Sequence, residues 1–284
     1  MQPPGGRQPV TFAQAETERN VANWVLSVGG KVKITSPAAA EQNPIVIAAA
    51  SQLPAEPFLV YGIEMFDCKT VIDKDLARIE DLANLIELSI RQAPIGYEGL
   101  AHVARQPNLT VLYLRDTKVN DAALAAIEGL TRLQTLTIME GDRVTDAGLV
   151  HLRGLTGLRA VWLNFTAVTG AGLKHLQSLP QLRTLGLVAT KLAEGNLNEL
   201  AAFRTVTFVN MDNTPAATDV GVAALRVMPA LTELNVGHSS VSDKGLEVLA
   251  TFPGLKKLHV SGSHVTDAGM HKFRVIRPDC EIIR

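Results

Sequence analysis

Apolar residues recur along this chain at a fixed interval. The pattern L-x-x-L-x-L falls at Leu85/Leu88/Ile90, Leu109/Leu112/Leu114, Leu133/Leu136/Ile138 and Leu158/Val161/Leu163. It continues at Leu182/Leu185/Leu187, Val206/Val209/Met211, Leu231/Leu234/Val236 and Leu255/Leu258/Val260. The first positions of successive matches lie 24, 24, 25, 24, 24, 25 and 24 residues apart. A weaker match at Val60/Ile63/Met65 precedes them by 25 residues, and Cys280/Ile283 starts a final one. Such a period is the mark of a repeat array, in which no unit buries its apolar face alone and neighbours must stack to share a core.

Each unit has two halves. The first alternates apolar and polar residues, the pattern of a half-buried strand. Strands are therefore predicted to start near residues 60, 85, 109, 133, 158, 182, 206, 231 and 255. The second half carries V-T-D-A-G-L-x-x-L-x-x-L, clearest at Val144–Leu155 and Val265–Ile276. Its apolar residues, such as Leu149, Leu152 and Leu155, recur three apart and so share one helical face. Thr145, Ser242 and Thr266 sit where an N-cap hydroxyl binds the first free amides, and Asp146, Asp243 and Asp267 add negative charge at the positive helix end.

Between the halves a hydroxyl recurs, at Thr117, Thr166, Thr190, Ser239 and Ser263. A stacked column of hydroxyls is expected to satisfy buried turns from repeat to repeat. Gln106-Pro107-Asn108, Leu179-Pro180 and Phe252-Pro253-Gly254 end helices. Extra residues near Lys69–Thr70, Gly141–Asp142 and Pro215–Ala216 fall just after strands and bulge at one rim. Stacking such units gives a parallel sheet on the concave side and helices on the convex side. At about 4.8 Å per strand, nine or ten strands make a wall roughly 40–45 Å long.

The signature L-x-L-x-x-T-x-V-T-D-A-G-L resembles the leucine-rich-repeat family, in particular bacterial members of its ribonuclease-inhibitor-like branch. The resemblance covers roughly residues 59–284. Thr or Ser stands where the family's commonest pattern has Asn, and the repeat at 206–230 is degenerate. It implies an α/β leucine-rich-repeat solenoid, a curved right-handed superhelix, with repeats over 59–276 and a C-terminal capping strand over 277–284. It also implies a protein-binding array and names no partner.

Residues 1–10, rich in Pro, Gly and Gln, read as a flexible lead or a linker. Residues 11–58 read as an N-terminal cap: an amphipathic helix over Gln14–Val28, with Val21, Trp24, Val25 and Val28 on one face, then strands at Lys31–Ile34 and Ile45–Ala48. The segment Ala-Asn-Trp-Val-Leu-Ser-Val-Gly-Gly is similar to a cap found ahead of such repeats in bacterial multidomain proteins.

A formal net charge of −1 supplies no long-range field for nucleic acid or anionic lipid. No run of eighteen apolar residues exists to span a membrane. Cys68 and Cys280 belong to opposite ends of the array, too far apart for a disulfide, so free thiols and a cytoplasmic setting are expected. No nucleophile elbow, phosphate loop, zinc-protease or dinucleotide motif occurs. His102, His151 and His175 share one helical slot that other repeats fill with Ala126, Glu199 or Lys272, a pattern of surface tolerance. His238, His259, His264 and His271 have registers facing different ways. No metal, cofactor, catalytic site or small-molecule substrate is expected.

The sheet face is more informative. Its central column should read Ser89, Tyr113, Thr137, Trp162, Gly186, Asn210, Asn235 and His259. Val111, Ala160 and Phe208 stand in the column before it, and Arg115, Met139, Asn164, Phe165 and Asp212 after it. Aromatics are 5% of the chain, yet several fall where solvent is expected, as in binding hot spots. The expected partner-binding set is Tyr113, Arg115, Trp162, Asn164, Phe165, Phe208, Asn210, Asp212, Asn235 and His259. A non-catalytic protein-interaction module follows. The alternative is a regulatory or sensory segment of a larger signalling enzyme such as a kinase.

Overall fold

The computed structural model describes residues 11–36, 44–82 and 84–284; the expected lead at 1–10 lies outside them. Thr11 opens helix α1 (Phe12–Ser27): its hydroxyl accepts from the Gln14 N–H, and the Gln14 side chain reaches back, a reciprocal cap. Gly29, at φ +84°, follows the helix end. Strand β1 (Lys31–Thr35) pairs antiparallel with both β2 (Ile45–Ile47) and β3 (Leu59–Met65). Glu18 of α1 is buried and accepts the Val60 N–H at 2.7 Å.

From β3 onward every pairing is parallel and in chain order. The strands are β4 (Glu87–Arg91), β5 (Val111–Arg115), β6 (Thr135–Met139), β7 (Ala160–Trp162), β8 (Thr184–Gly186), β9 (Phe208–Asn210), β10 (Glu233–Asn235), β11 (Lys257–His259) and β12 (Glu281–Ile283). Leu88, Leu112, Leu136, Val161, Leu185, Val209, Leu234 and Leu258 stand in one register row and are fully buried. The first apolar residue of each repeat, such as Leu109 or Leu133, lies in the turn just before its strand, also fully buried. The strands are therefore shorter than the pattern suggested. One apolar cluster runs from Val21 to Ile282.

The convex segments are short: α2 (Tyr97–Val103), α3 (Asp121–Ala125), α4 (Leu197–Ala201), α5 (Asp219–Ala224), α6 (Asp243–Leu249) and α7 (Asp267–Ile276). Val144–Leu155, expected to be helical, forms a 3-10 turn at Gly148–Leu152, as does Ala171–Leu176.

The recurring hydroxyls satisfy their turns as expected, each within its own repeat. Thr166, Thr190, Ser239 and Ser263 each donate to the carbonyl three residues earlier in their own turn, at 2.6–2.8 Å or, for Ser239, 2.5 Å. Thr214, outside the predicted series, does the same to Met211. Ser242 and Thr266 cap α6 and α7, with Asp243 and Asp267 in their first turns, as expected; what the sequence does not show is that aspartates also bridge repeats. Asp121 accepts from the Thr145 N–H and hydroxyl, Asp219 from those of Ser242, and Asp243 from those of Thr266, at 2.6–2.9 Å. Asp146 accepts from Thr169 and from the Gly170 and Gly172 N–H groups. Burial alone would raise the Asp146 carboxyl, but these donors outweigh it and hold it below the ordinary range.

This clamp explains the glycine of the repeat. A Cβ on Gly269 would stand 1.9 Å from the Asp243 carboxylate, and one on Gly148 2.5 Å from that of Asp121. At the rim beyond each strand, one residue per repeat turns left-handed: Asp67, Gln92, Asp116, Glu140, Phe165, Ala189, Asn213 and His238 at φ +46° to +57°, then Gly262 at +68°. Left-handed backbone costs a non-glycine residue about 1–2 kcal/mol. The N–H of such residues continues the ladder, Gln92 to Arg115 O at 2.9 Å and His238 to Ser261 O at 2.7 Å.

Cys68 and Cys280 are free and buried, and burial pushes both thiols up. Among the described residues no helix is long and apolar enough to cross a membrane, and no group of three or more metal-ligating side chains converges.

Candidate interaction surface

The central column of the sheet face runs Glu64, Ser89, Tyr113, Thr137, Trp162, Gly186, Asn210, Asn235, His259 in continuous register. Its neighbours along each strand are the buried leucines, so alternation sends these side chains to the opposite face. Tyr113, Trp162 and Phe208 are half-buried. The Trp162 and Phe208 rings meet edge to face, with centroids 6.0 Å apart, a favoured aromatic arrangement.

Trp162 lies across β8. A Cβ added to Gly186 would fall 2.1 Å from Trp162 Cε3, so only a glycine lets the indole rest on that backbone. Thr137 sits in register between Tyr113 and Trp162 and is buried although it points to this face. The rings thus shelter the strand between them.

Tyr113 belongs to a second group that the sequence did not reveal. The Arg91 guanidinium stands 4.8 Å from the Phe66 ring centre and 5.0 Å from that of Tyr113, a cation between two π faces. Arg91 donates to the Tyr113 hydroxyl, which donates to Met139 Sδ, both at 3.1 Å. Arg91 stands in register with Arg115, a position that repeat alignment identifies; Phe66 lies past the weak first repeat and gives no periodic signal.

The remaining expected residues divide by burial and partner. Arg115 is half-buried and donates twice to Glu140 Oε1, whose charge and hydrogen bonds raise its already high pKa. Asn164 is buried, and its amide oxygen accepts the Val188 N–H at 3.1 Å; it ties neighbouring repeats together instead of facing solvent as expected. Phe165 is not on the strand face. It occupies the left-handed rim turn, 46% exposed. Asn210 and Asn235 turn their oxygens to the Asp212 and Gly237 N–H groups. Asp212 pairs with His238 and Glu233 with His259, each at 3.0 Å. The face therefore has an aromatic half, where rings meet water, and a polar half whose acceptors are occupied within the chain.

A family model described as "Leucine Rich repeat" matches residues 228–250. Internalin C2 of Listeria monocytogenes superposes with a TM-score of 0.56 at 19% identity, covering 88% of this chain and 92% of that one. The fold is a leucine-rich-repeat solenoid. Another internalin of that organism, InlF, aligns over 73% of this chain and 69% of its own with a TM-score of 0.48 and 17% identity. No curated protein matches the chain. Within the solenoid, the strands form one sheet face and the short helical segments the other, which fixes the Tyr113–Trp162–Phe208 surface as the face opposite the leucine ladder.

Proposed function

We propose that this solenoid is a non-catalytic interaction module that holds a protein partner on its concave face, centred on Trp162, Phe208 and Tyr113. The carrying observation is that large rings stand half-exposed on a sheet whose core is already closed by the leucine row. Rings of this kind, rigid and amphipathic, supply most of the energy at protein interfaces. Arg115, Asn210, Asp212, Asn235 and His259 frame them as a polar rim, Phe165 adds an exposed ring at the edge, and Asn164 supports the frame from beneath. Residues 11–58 serve as the cap of the stack and 277–284 as its closing strand. Two free, buried, unreactive thiols fit a cytoplasmic setting.

The test is capture from the native source with wild-type and Trp162→Ala protein, both checked for an unchanged fold by circular dichroism. Loss of the variant's affinity by on the order of 2 kcal/mol or more is expected. Identical partners and affinities for both would remove the concave reading.

A further inference from the structure

The rim where the chain enters the strands carries a second feature, independent of the rings. A depression of about 350 Å³ is lined there by Asn108, Thr110, Arg132, Gln134, Arg159 and Gln181, with no carboxylate in its wall. Arg183 follows one repeat after Arg159, each just past the first leucine of its repeat. The side chains of Gln134, Arg159 and Gln181 are exposed and make no hydrogen bond or ion pair among the described residues. Arg132 donates to the Asn108 amide oxygen and Arg183 to the Leu182 carbonyl, both neutral acceptors.

Cations on the sheet itself are arranged differently. Lys33 meets Glu64 and Glu87, Arg115 meets Glu140, and Lys257 meets Glu233. Three guanidinium groups on one rim, with no carboxylate partner among the described residues, stand beside the paired Lys33, Arg115 and Lys257 and form a local positive patch in a chain of net charge −1. The main-chain N–H groups there are already used: those of Gln134 and Thr135 go to Thr110 O, and those of Arg159 and Ala160 to Gln134 O. Side-chain forks and amides therefore face outward, and the guanidinium fork matches a carboxylate with two parallel bonds.

We propose that this rim binds an acidic peptide segment of the partner, seated on Arg132, Arg159 and Arg183 beside the aromatic centre. The proposal rests on the concave reading for its neighbour: Arg159, just before β7, and Trp162, at its end, are three residues apart, about 10 Å at strand rise. One short segment reaches both, placing carboxylates on the rim and an apolar anchor on the rings. The patch occupies one edge of three repeats, a footprint suited to a peptide and too confined for a polyanion that tracks a long positive groove.

The test is fluorescence anisotropy with a labelled Glu-rich peptide of about ten residues, its Gln counterpart and a single-stranded oligonucleotide of equal charge. Each is titrated into wild-type protein, the Arg132→Gln/Arg159→Gln/Arg183→Gln variant and Trp162→Ala at two salt concentrations. The Glu peptide should bind wild type and Trp162→Ala alike, weaken with salt, and lose tenfold or more in the triple variant, since each charged hydrogen bond is worth roughly tenfold. Arg159→Gln alone should give a smaller loss in the same direction. No binding of the Glu peptide, equal binding by the triple variant, or preference for the oligonucleotide overturns the proposal. Trp162→Ala separates the two readings: a failed rim assay leaves the ring-dependent capture untouched, and a failed capture leaves the rim result standing.

Discussion

Two polar systems run the length of this solenoid, and they differ in one respect: one repeats and the other does not. On the loop and convex side, an aspartate in four of the repeats receives the N–H and hydroxyl of a Thr or Ser in the following one, and a glycine gives the carboxylate room. On the concave side the equivalent column reads Ser89, Tyr113, Thr137, Trp162, Gly186, Asn210, Asn235, His259, with no residue type held for more than two repeats. A group that must satisfy the same backbone in each unit is constrained to recur. A group without that duty is free to vary, and here it does.

The comparison is sharpest where the two systems should respond to different measurements. Below both lies the leucine row. Leu136→Ala or Leu185→Ala leaves a cavity in a fully buried site and should lower stability by about 2–5 kcal/mol, read by urea denaturation. Trp162→Ala should invert that profile, costing about 2 kcal/mol or more in partner affinity and less stability than either leucine.

Asp146→Asn, which keeps the shape and removes the charge, should cost about 1–2 kcal/mol of stability and leave affinity unchanged. Because the folded state holds the Asp146 and Asp243 carboxyls low, their contribution is complete above the unfolded value near 4 and is lost as pH falls through the folded value. Wild type should therefore destabilise below pH 4 more steeply than Asp146→Asn.

Glu18 has the opposite sign, at the cap. Burial raises its carboxyl to about 7, against the lowering bond from Val60. Stability there is full below the unfolded value near 4.3 and declines as pH rises through 7. Glu18→Gln, which still accepts the Val60 N–H, should melt higher than wild type at pH 8, with the gap closing below pH 5. Lys174→Ala, at the exposed convex surface, should change stability by less than about 0.5 kcal/mol and affinity not at all. A binding loss in this variant would break the contrast between the faces.

Periodicity made the architecture legible because the leucines that set the period also form the core. Leu88, Leu112 and Leu136 announce both a strand and its register. The face columns followed from alternation alone. Geometry between repeats was less legible. Asp243 reads from the sequence as a helix-end charge, which it is, but its bond to the next repeat is hidden because Thr266 is 23 residues away and no local pattern couples them. The left-handed rim residues leave no signal in the sequence, because eight are not glycine. Strand alternation points Asn164 and Phe165 to the face, but β7 ends at Trp162, where the chain turns. Arg91 and Phe66 met Tyr113 through a wedge of rings that hydropathy does not encode.

The central claim is that the varying column, and not the repeating one, meets the partner. Hydroxyl-radical footprinting of the free and partner-bound protein tests it directly. Protection should concentrate at Tyr113, Trp162 and Phe208, while Tyr97 and the other exposed side chains of the convex helices keep their free-state reactivity. Protection confined to the convex helices, with Trp162 unchanged, would contradict the account.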